Sequence, residues 1–181
     1  HKSSISRIMA TLAAEGFVEK NPSGKGFRLG LKLVDLANRA LGGLDLRSHA
    51  SPYMEALATR IDEMVHLSVL DQNEIVYVEK KGAGWGLTVG SKLGGRNPAH
   101  ASAMGKILLS DLAPDELKRV LKAGPLVRLT PNTIVDFHEL MVELEGVREK
   151  GYAVDNEESF PGIRCVAAPI YSRTEKIVAA V

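Results

Sequence analysis

The chain has 181 residues, of which 45% are hydrophobic, 25% charged and 5% aromatic. This length allows one domain of ordinary size, or a domain of about 130 residues with an appendage. The composition excludes a disordered or collagen-like chain, and the low aromatic content argues against an aromatic-rich surface for RNA stacking. Every apolar run is far shorter than the roughly 20 residues of a bilayer helix, so we expect no membrane span.

A single cysteine, Cys165, excludes an internal disulfide and a cysteine-based zinc cage, which indicates a reducing, cytoplasmic compartment. The first residues, HKSSISRIM, show no charged-then-apolar leader, so we expect no secretory signal. They also lack an initiator Met, and the last residues, KIVAAV, end within an apolar run. We therefore expect that both ends of the chain are cut.

The charge is unevenly distributed, although its net value is only +1. Residues 1–45 carry seven Lys/Arg and four Asp/Glu, a net charge of +3, whereas the remainder carries 16 and 18, a net charge of −2. A basic first segment on a mildly acidic body indicates contact with an anion such as DNA.

Residues 3–15 predict a short amphipathic helix that ends at Gly16. One stripe of this helix is apolar and is expected to face a core: Ile5, Ile8, Met9 and Leu12. The opposite face is polar and suits contact with phosphates and base edges in a major groove: Lys2, Ser3, Ser4, Ser6, Arg7 and Thr11.

Two short strands, residues 17–20 and 27–29, enclose a Pro- and Gly-containing turn and predict a hairpin. Helix followed by hairpin, with Lys25 at the tip and Arg28 on the return strand, is the order of a winged helix-turn-helix. An ordinary helix packed on a hairpin, with its charges in solvent, is the alternative. Residues 31–44 predict a linker helix whose narrow apolar seam is typical of self-association: Val34, Ala37, Leu41 and Leu44.

From residue 46 the pattern is mixed, with helices predicted over residues 46–64, 99–112, 114–122 and 136–150. Strands are predicted over residues 66–70, 75–79, 85–89, 152–154, 163–170 and 177–181, and residues 90–98 are predicted to form a Gly-rich loop. Antiparallel hairpins with helices gathered between them indicate an α+β sandwich.

The segment KSSISRIMATLAAEGFVEKNPSGKGFRLGLKLVDLA resembles the second half of the winged-helix domain of the IclR family of bacterial transcription regulators. PAHASAMGKILLS and GYAVDNEESFPGIRCVAAPIYS resemble the loop-and-helix element and the C-terminal signature of that family's effector domain. Ser172 departs from the Asp or Asn that the family tends to have there. The resemblance implies a partial winged helix without its first two helices, and a GAF/PAS-like domain that binds a small organic molecule.

The Gly-rich loop leads directly into the helix that begins HASAMG, and free backbone N–H groups at such a helix start are a natural cradle for an anion. Asp155 at a strand end is a candidate acceptor for a hydroxyl of the same molecule, and Asn97 supplies an adjustable amide. Apolar walls are expected from Val89, Leu93, Ile163 and Cys165. The resemblance places effector contacts near Val89, Asn97, Ala103, Met104, Asp155, Ile163 and Cys165.

An enzyme is the alternative, with Cys165, His100 and Asp155 as nucleophile, base and orienting acid of a hydrolase. Against it, Cys165 lies in an apolar strand, where a buried, inert thiol is the common case. The histidines lack the spacing of a metal site, so we expect no metal and no cofactor. Glu157 and Glu158 are interpreted as a solvated turn, with Arg164 as a possible ion-pair partner of one of them.

We therefore predict an α+β protein with a partial winged helix-turn-helix (residues 1–30), a linker helix (31–45) and an effector-binding domain with an antiparallel sheet (46–181). The predicted function is a ligand-responsive transcriptional regulator and not an enzyme. Its expected partners are double-stranded operator DNA, a small organic acid and a further copy of itself, as a homodimer or a dimer of dimers, with no membrane contact.

Overall fold

The computed structural model describes residues 2–42, 46–82, 92–122, 124 and 126–181. The chain divides into two compact units, residues 1–49 and 50–181. No helix in the described ranges is both long and apolar enough to cross a membrane. The predicted strand over residues 85–89, which includes Val89, lies outside the described residues.

The first unit has the predicted order of helix, hairpin and helix: α1 (Lys2–Ala14), β1 (Val18–Lys20), β2 (Phe27–Leu29) and α2 (Lys32–Gly42). Gly16 adopts a left-handed φ of 77° and ends α1, as predicted. The strands pair antiparallel, with Val18 opposite Leu29. The expectation that the apolar stripe of α1 faces a core is wrong for its first half, because Ile5 and Ile8 are 64% and 60% exposed. Within the described part of this unit, nothing covers that end of the stripe.

Helix α3 (Leu46–Ile61) crosses the boundary between the two units along the chain, and the second unit then contains a mixed succession of strands and helices. These are β3 (Val65–Asp71), β4 (Glu74–Lys81), β5 (Arg96–Pro98), α4 (Ala103–Ser110), α5 (Pro114–Lys122), α6 (Phe137–Lys150), β6 (Ala153–Asn156), β7 (Arg164–Ala167), β8 (Pro169–Tyr171) and β9 (Ile177–Ala180). Five described strands form an antiparallel sheet in the order β5-β4-β3-β9-β8, and β6 pairs with β7 in a separate ribbon. The α+β prediction with antiparallel sheets is confirmed.

The core lies around α4. Ile107 and Leu109 of α4 pack with Leu140 and Leu144 of α6 and with Ile75 of the sheet, and these side chains are at most 1% exposed. The helix predicted over residues 136–150 is confirmed as α6, and its Leu140, Leu144 and Val147 face the core. Helix α4 therefore lies at the centre of the unit, and its first turn is held in place by packing on several sides.

Three predicted elements have different bounds in the structure. Residues 96–98 are a strand that pairs with β4, not part of a loop. The helix predicted over residues 99–112 is interrupted, because Ala99–Ala101 is a turn of 3-10 helix and Ser102 has an extended backbone that caps α4. The strand predicted over residues 163–170 is two strands, since Pro169 lacks the N–H that a continuing ladder requires.

Candidate functional site

Two of the first four backbone N–H groups of α4 already have acceptors. Ser102 Oγ accepts from the N–H of Gly105 at 3.1 Å, and Ser102 O accepts from the N–H of Lys106 at 2.9 Å. Within the described ranges, the N–H groups of Ala103 and Met104 have no acceptor. They lie at the positive end of the helix, where an anion is stabilised.

The Gly-rich loop contributes less to such a cradle than predicted. The N–H of Gly94 donates to Tyr77 O at 2.8 Å, and the N–H of Gly95 donates to Lys92 O at 2.7 Å. One of these donors is used by strand β4 and the other within the loop, so the anion cradle reduces to Ala103 and Met104 among the described residues.

A buried polar network lies next to this helix start. The Asn97 amide donates to Ser159 Oγ at 3.0 Å, and Ser159 Oγ donates to the carbonyl of Ala101 at 2.7 Å. Asp155, 3% exposed, accepts the N–H of Glu158 at 2.7 Å and that of Ser159 at 3.3 Å through Oδ1. Asp155 therefore shapes the turn that follows β6, a role that the prediction of a hydroxyl acceptor did not include.

Tyr77 on β4 belongs to the same network, although sequence reasoning missed it. Burial raises the pKa of its hydroxyl, whereas a side-chain hydrogen bond with Asn97 lowers that pKa. Cys165 and Asp155 raise the pKa of Tyr77 further. The available signal was the strand period, because Tyr77 shares a sheet face with the buried Ile75.

The structure thus brings together some of the predicted effector contacts. Asn97 and Asp155 share the polar network, Cys165 lies opposite Asp155 in the ribbon, and Ala103 and Met104 start α4. Met104 Sδ also accepts a hydrogen bond from Ser68 Oγ at 3.3 Å, another contact that sequence reasoning missed. Of the other predicted contacts, Leu93 is 49% exposed, Ile163 is partly buried before β7, and Val89 lies outside the described residues.

The residues of the hydrolase alternative are not arranged for catalysis. The His100 ring contacts the carbonyl of Val127 through Nε2 at 3.1 Å, and burial lowers the pKa of His100. Partial desolvation of the sulfur and then the charge of Asp155 raise the pKa of the Cys165 thiol, the opposite of what an activated nucleophile needs. The expectation that Cys165 is buried is wrong, because β7 belongs to a two-stranded ribbon and the residue is exposed. The described ranges hold no group of three or more potential metal ligands.

We expect Cys165 to react slowly with iodoacetamide in spite of its exposure. The thiolate is the reactive form, and a raised pKa lowers its fraction near neutral pH. Alkylation rates followed by mass spectrometry across a pH series will check this, with the urea-unfolded chain as the reference. The rate profile of the folded protein should lie at higher pH, and coincident profiles would contradict the assignment.

The interpretation of Glu157 and Glu158 as a solvated turn is wrong for Glu158. This residue is 5% exposed, and its Oε1 lies 2.7 Å from Nζ of Lys106, which is itself 1% exposed. Arg164 does pair with an acid of this turn, since its Nη2 lies 3.3 Å from Glu157 Oε1.

The predicted DNA contacts of α1 lie on an exposed helix face. Ser3, Ser4, Ser6, Arg7 and Thr11 are exposed, and Lys2 begins the helix. Lys25 is at the exposed hairpin tip. Arg28 donates to Glu19 Oε2 through Nε at 3.0 Å and Nη2 at 2.7 Å, so its guanidinium is held along the hairpin.

Comparison with known proteins agrees with this architecture. The family model described as bacterial transcriptional regulator IclR C-terminal matches residues 38–181. The chain is 36% identical to the HTH-type transcriptional regulator XynR of Escherichia coli, over 99% of this chain and 71% of XynR. Among solved structures, the Thermotoga maritima IclR superposes with a TM-score of 0.78 at 34% identity, over 98% of this chain and 72% of that one. An IclR homolog of Microbacterium hydrocarbonoxydans, complexed with 4-hydroxybenzoate, has a TM-score of 0.88 at 31% identity, over 99% and 74% of the two chains.

A helix-and-hairpin element followed in sequence by an α+β domain with a buried polar network is the arrangement of a ligand-responsive transcriptional regulator. The relatives are named as regulators and not as enzymes, which agrees with the chemistry of Cys165 and His100. The chain belongs to the IclR family.

Proposed function

We propose that the second unit binds a small organic acid and that its occupancy modulates binding of operator DNA by the first unit. The N–H groups of Ala103 and Met104 bind the carboxylate of this acid. A second polar group of the acid contacts the network of Tyr77, Asn97 and Asp155. The observation that carries this proposal is the pair of donors at the start of α4, which have no acceptor among the described residues and lie next to a buried polar network.

The chemistry of a related complex supports an acid with a second polar group. The Microbacterium hydrocarbonoxydans homolog is complexed with 4-hydroxybenzoate, a molecule with a carboxylate at one end and a hydroxyl at the other. An anionic end suits the helix start, and a hydroxyl suits a network that contains both donors and acceptors. We therefore place the effector of this protein among small carboxylic acids, with apolar contacts from Ile163, Cys165, Leu93 and Val89.

For DNA, we propose that operator phosphates and base edges are contacted by the exposed face of α1 and by the wing: Lys2, Ser3, Ser4, Ser6, Arg7, Thr11, Lys25 and Arg28. Phosphate contacts of Lys and Arg release counterions, so binding must weaken steeply as salt rises. A pseudo-palindromic operator requires two copies of this element. Val34 on α2 is 55% exposed, which leaves part of the predicted seam available for a second copy in a homodimer or a dimer of dimers.

Substituting Ala103 with proline will test the carboxylate site. Ala103 is the first residue of α4, a position that tolerates proline, and Ser102 already has the extended backbone (φ −118°, ψ 145°) that a following proline requires. The substitution removes one of the two donors and puts a ring carbon in its place. A hydrogen bond to a charged group contributes about 1.5–3 kcal/mol, so we expect the Kd for 4-hydroxybenzoate to rise about 10- to 100-fold by calorimetry.

Phe137→Pro is the matched control. Phe137 is the first residue of α6, it is 41% exposed, and Asp136 before it is also extended. This variant should bind 4-hydroxybenzoate as the unmodified protein does. Equal affinities in Ala103→Pro and Phe137→Pro would show that the carboxylate is not held at α4. If the unmodified protein binds none of a panel of small acids, the proposed effector class is refuted.

A further inference from the structure

Lys106 lies at the centre of the second unit and has all its donors in use. Its Nζ donates to Glu158 Oε1 at 2.7 Å, to Glu143 Oε1 at 3.0 Å and to the carbonyl of Val154 at 3.0 Å. An ammonium group has three N–H donors, so this geometry satisfies it completely. The side chain is 1% exposed, and removing its charge from water is costly unless the partners are well placed.

The three partners come from different elements. Glu143 belongs to α6, Val154 to β6, and Glu158 to the turn that follows β6. Lys106 itself is on α4, three residues after Ala103 and within the same rigid helix. A single side chain therefore connects the helix that begins with the Ala103 and Met104 donors with the turn that carries the polar network.

The turn over residues 155–159 is joined to Lys106 through Glu158, and Thr130 and Thr133 also hold it through hydrogen bonds to the carbonyls of Glu157 and Glu158. Glu158 Oε1 accepts from Lys106 and also from the N–H of Asn156 at 3.2 Å. The N–H groups of Glu158 and Ser159 in turn bind Asp155 Oδ1, and Ser159 Oγ receives the Asn97 amide. Glu158 thus connects α4 directly to the turn that carries Asp155 and the network.

A salt bridge in this position is not explained by stability. Replacing a buried ion pair with uncharged residues of similar size is often neutral or stabilising. Glu158 also leaves its buried Oε2 without a hydrogen-bond partner in the described part of the chain, an arrangement that costs free energy. What the pair provides is a direct link between α4 and the 155–159 turn.

We propose that Lys106 is a positioning residue for effector binding. Through Glu158 it sets the distance between the donors of Ala103 and Met104 and the network of Asp155, Ser159 and Asn97. The expected effect of Lys106 on effector affinity rests on the proposed function. Its expected effect on the order of the 155–159 turn does not depend on any ligand.

The test uses the double variant Lys106→Met/Glu158→Gln, which removes both charges and keeps the volumes similar. Glu143, whose side chain is 34% exposed, can turn towards water once Lys106 is gone. We expect a Tm close to that of the unmodified chain, but faster hydrogen exchange at the Glu158 and Ser159 amides. We also expect a Kd for 4-hydroxybenzoate at least about tenfold higher, the lower end of the loss when an orienting group behind a binding residue is removed.

The matched control is Arg164→Met/Glu157→Gln, which likewise removes both charges of an ion pair beside the same turn. Its partners are 70% and 32% exposed, so this variant should leave Tm, amide exchange and affinity unchanged. If Lys106 has only a structural role, affinity and amide exchange will change only as far as Tm changes. Unchanged amide exchange at Glu158 and Ser159 in the Lys106 double variant would overturn the proposal, as would unchanged affinity for 4-hydroxybenzoate.

The two proposals fail in different ways. If the unmodified chain does not bind 4-hydroxybenzoate or other small acids, the proposed effector class is wrong, and amide exchange alone decides whether Lys106 orders the turn. If the unmodified chain binds and the double variant binds equally well, the effector class stands and the positioning role of Lys106 is refuted.

Discussion

We expect the Gly105→Ala variant to lose about 3 kcal/mol of unfolding free energy, the upper end of the usual cost of adding a methyl group to a packed site. An alanine Cβ at this position would lie 2.1 Å from the carbonyl oxygen of Ala99 and 2.4 Å from its Cα. Both are backbone atoms, so relief requires that the 3-10 turn of residues 99–101 move away from α4. For a domain of this size the expected fall in Tm is about 10 °C.

The consequence for binding follows from the same movement. Ser102 lies between the 3-10 turn and α4, and its Oγ caps the N–H of Gly105. Displacement of residues 99–101 also displaces the Ala101 carbonyl, which accepts from Ser159. We therefore expect Gly105→Ala to weaken acid binding as well as stability.

Gly146→Ala in α6 is the control for the alanine substitution itself. Only the flexible end of Lys150 lies near an added Cβ there, at 3.7 Å, and alanine is a better helix former than glycine. This variant should be more stable by about 0.5–1 kcal/mol. Denaturant unfolding of both variants measures the difference, and a Gly105→Ala variant as stable as the unmodified chain would show that the close approach is not rigid.

The sequence predicted a helix or a hairpin correctly where the periodicity of its own residues fits only one kind of secondary structure. The alternation around Asp71 predicted the β3–β4 hairpin, and the apolar stripe of residues 136–150 predicted α6. The break at Ser102 was missed because His100 and the flanking alanines are equally compatible with a continuous helix. The division of residues 163–170 was missed because the apolar pattern continues through Pro169.

The candidate site was harder to predict, since its contacts join residues that are far apart in the chain. Asn97 and Ser159 are 62 residues apart, and Lys106 and Glu158 are 52 apart. Two adjacent acids indicate a solvated turn unless a buried cation is known to face one of them. A signal was nonetheless present, because Lys106 stands between apolar residues in a helix that is otherwise buried.

Replacing Lys106 alone with methionine is expected to cost about 3–5 kcal/mol, the range for removing one partner of a buried ion pair. Glu158 is then a buried carboxylate whose cation is missing, and Glu143 leaves a second negative charge beside it. Glu158→Gln alone should cost less, about 1–3 kcal/mol, because Lys106 keeps Glu143 and the carbonyl of Val154 as partners.

The double variant Lys106→Met/Glu158→Gln separates these effects, because it leaves neither charge unpaired in the interior. We expect it to be more stable than Lys106→Met alone, so that the two substitutions are strongly non-additive, as contacting residues are. Urea unfolding of the four proteins in this cycle measures the interaction free energy. Additive losses would mean that Lys106 and Glu158 do not act as a pair, and α4 would then be held to the 155–159 turn by the Ser159–Ala101 hydrogen bond instead.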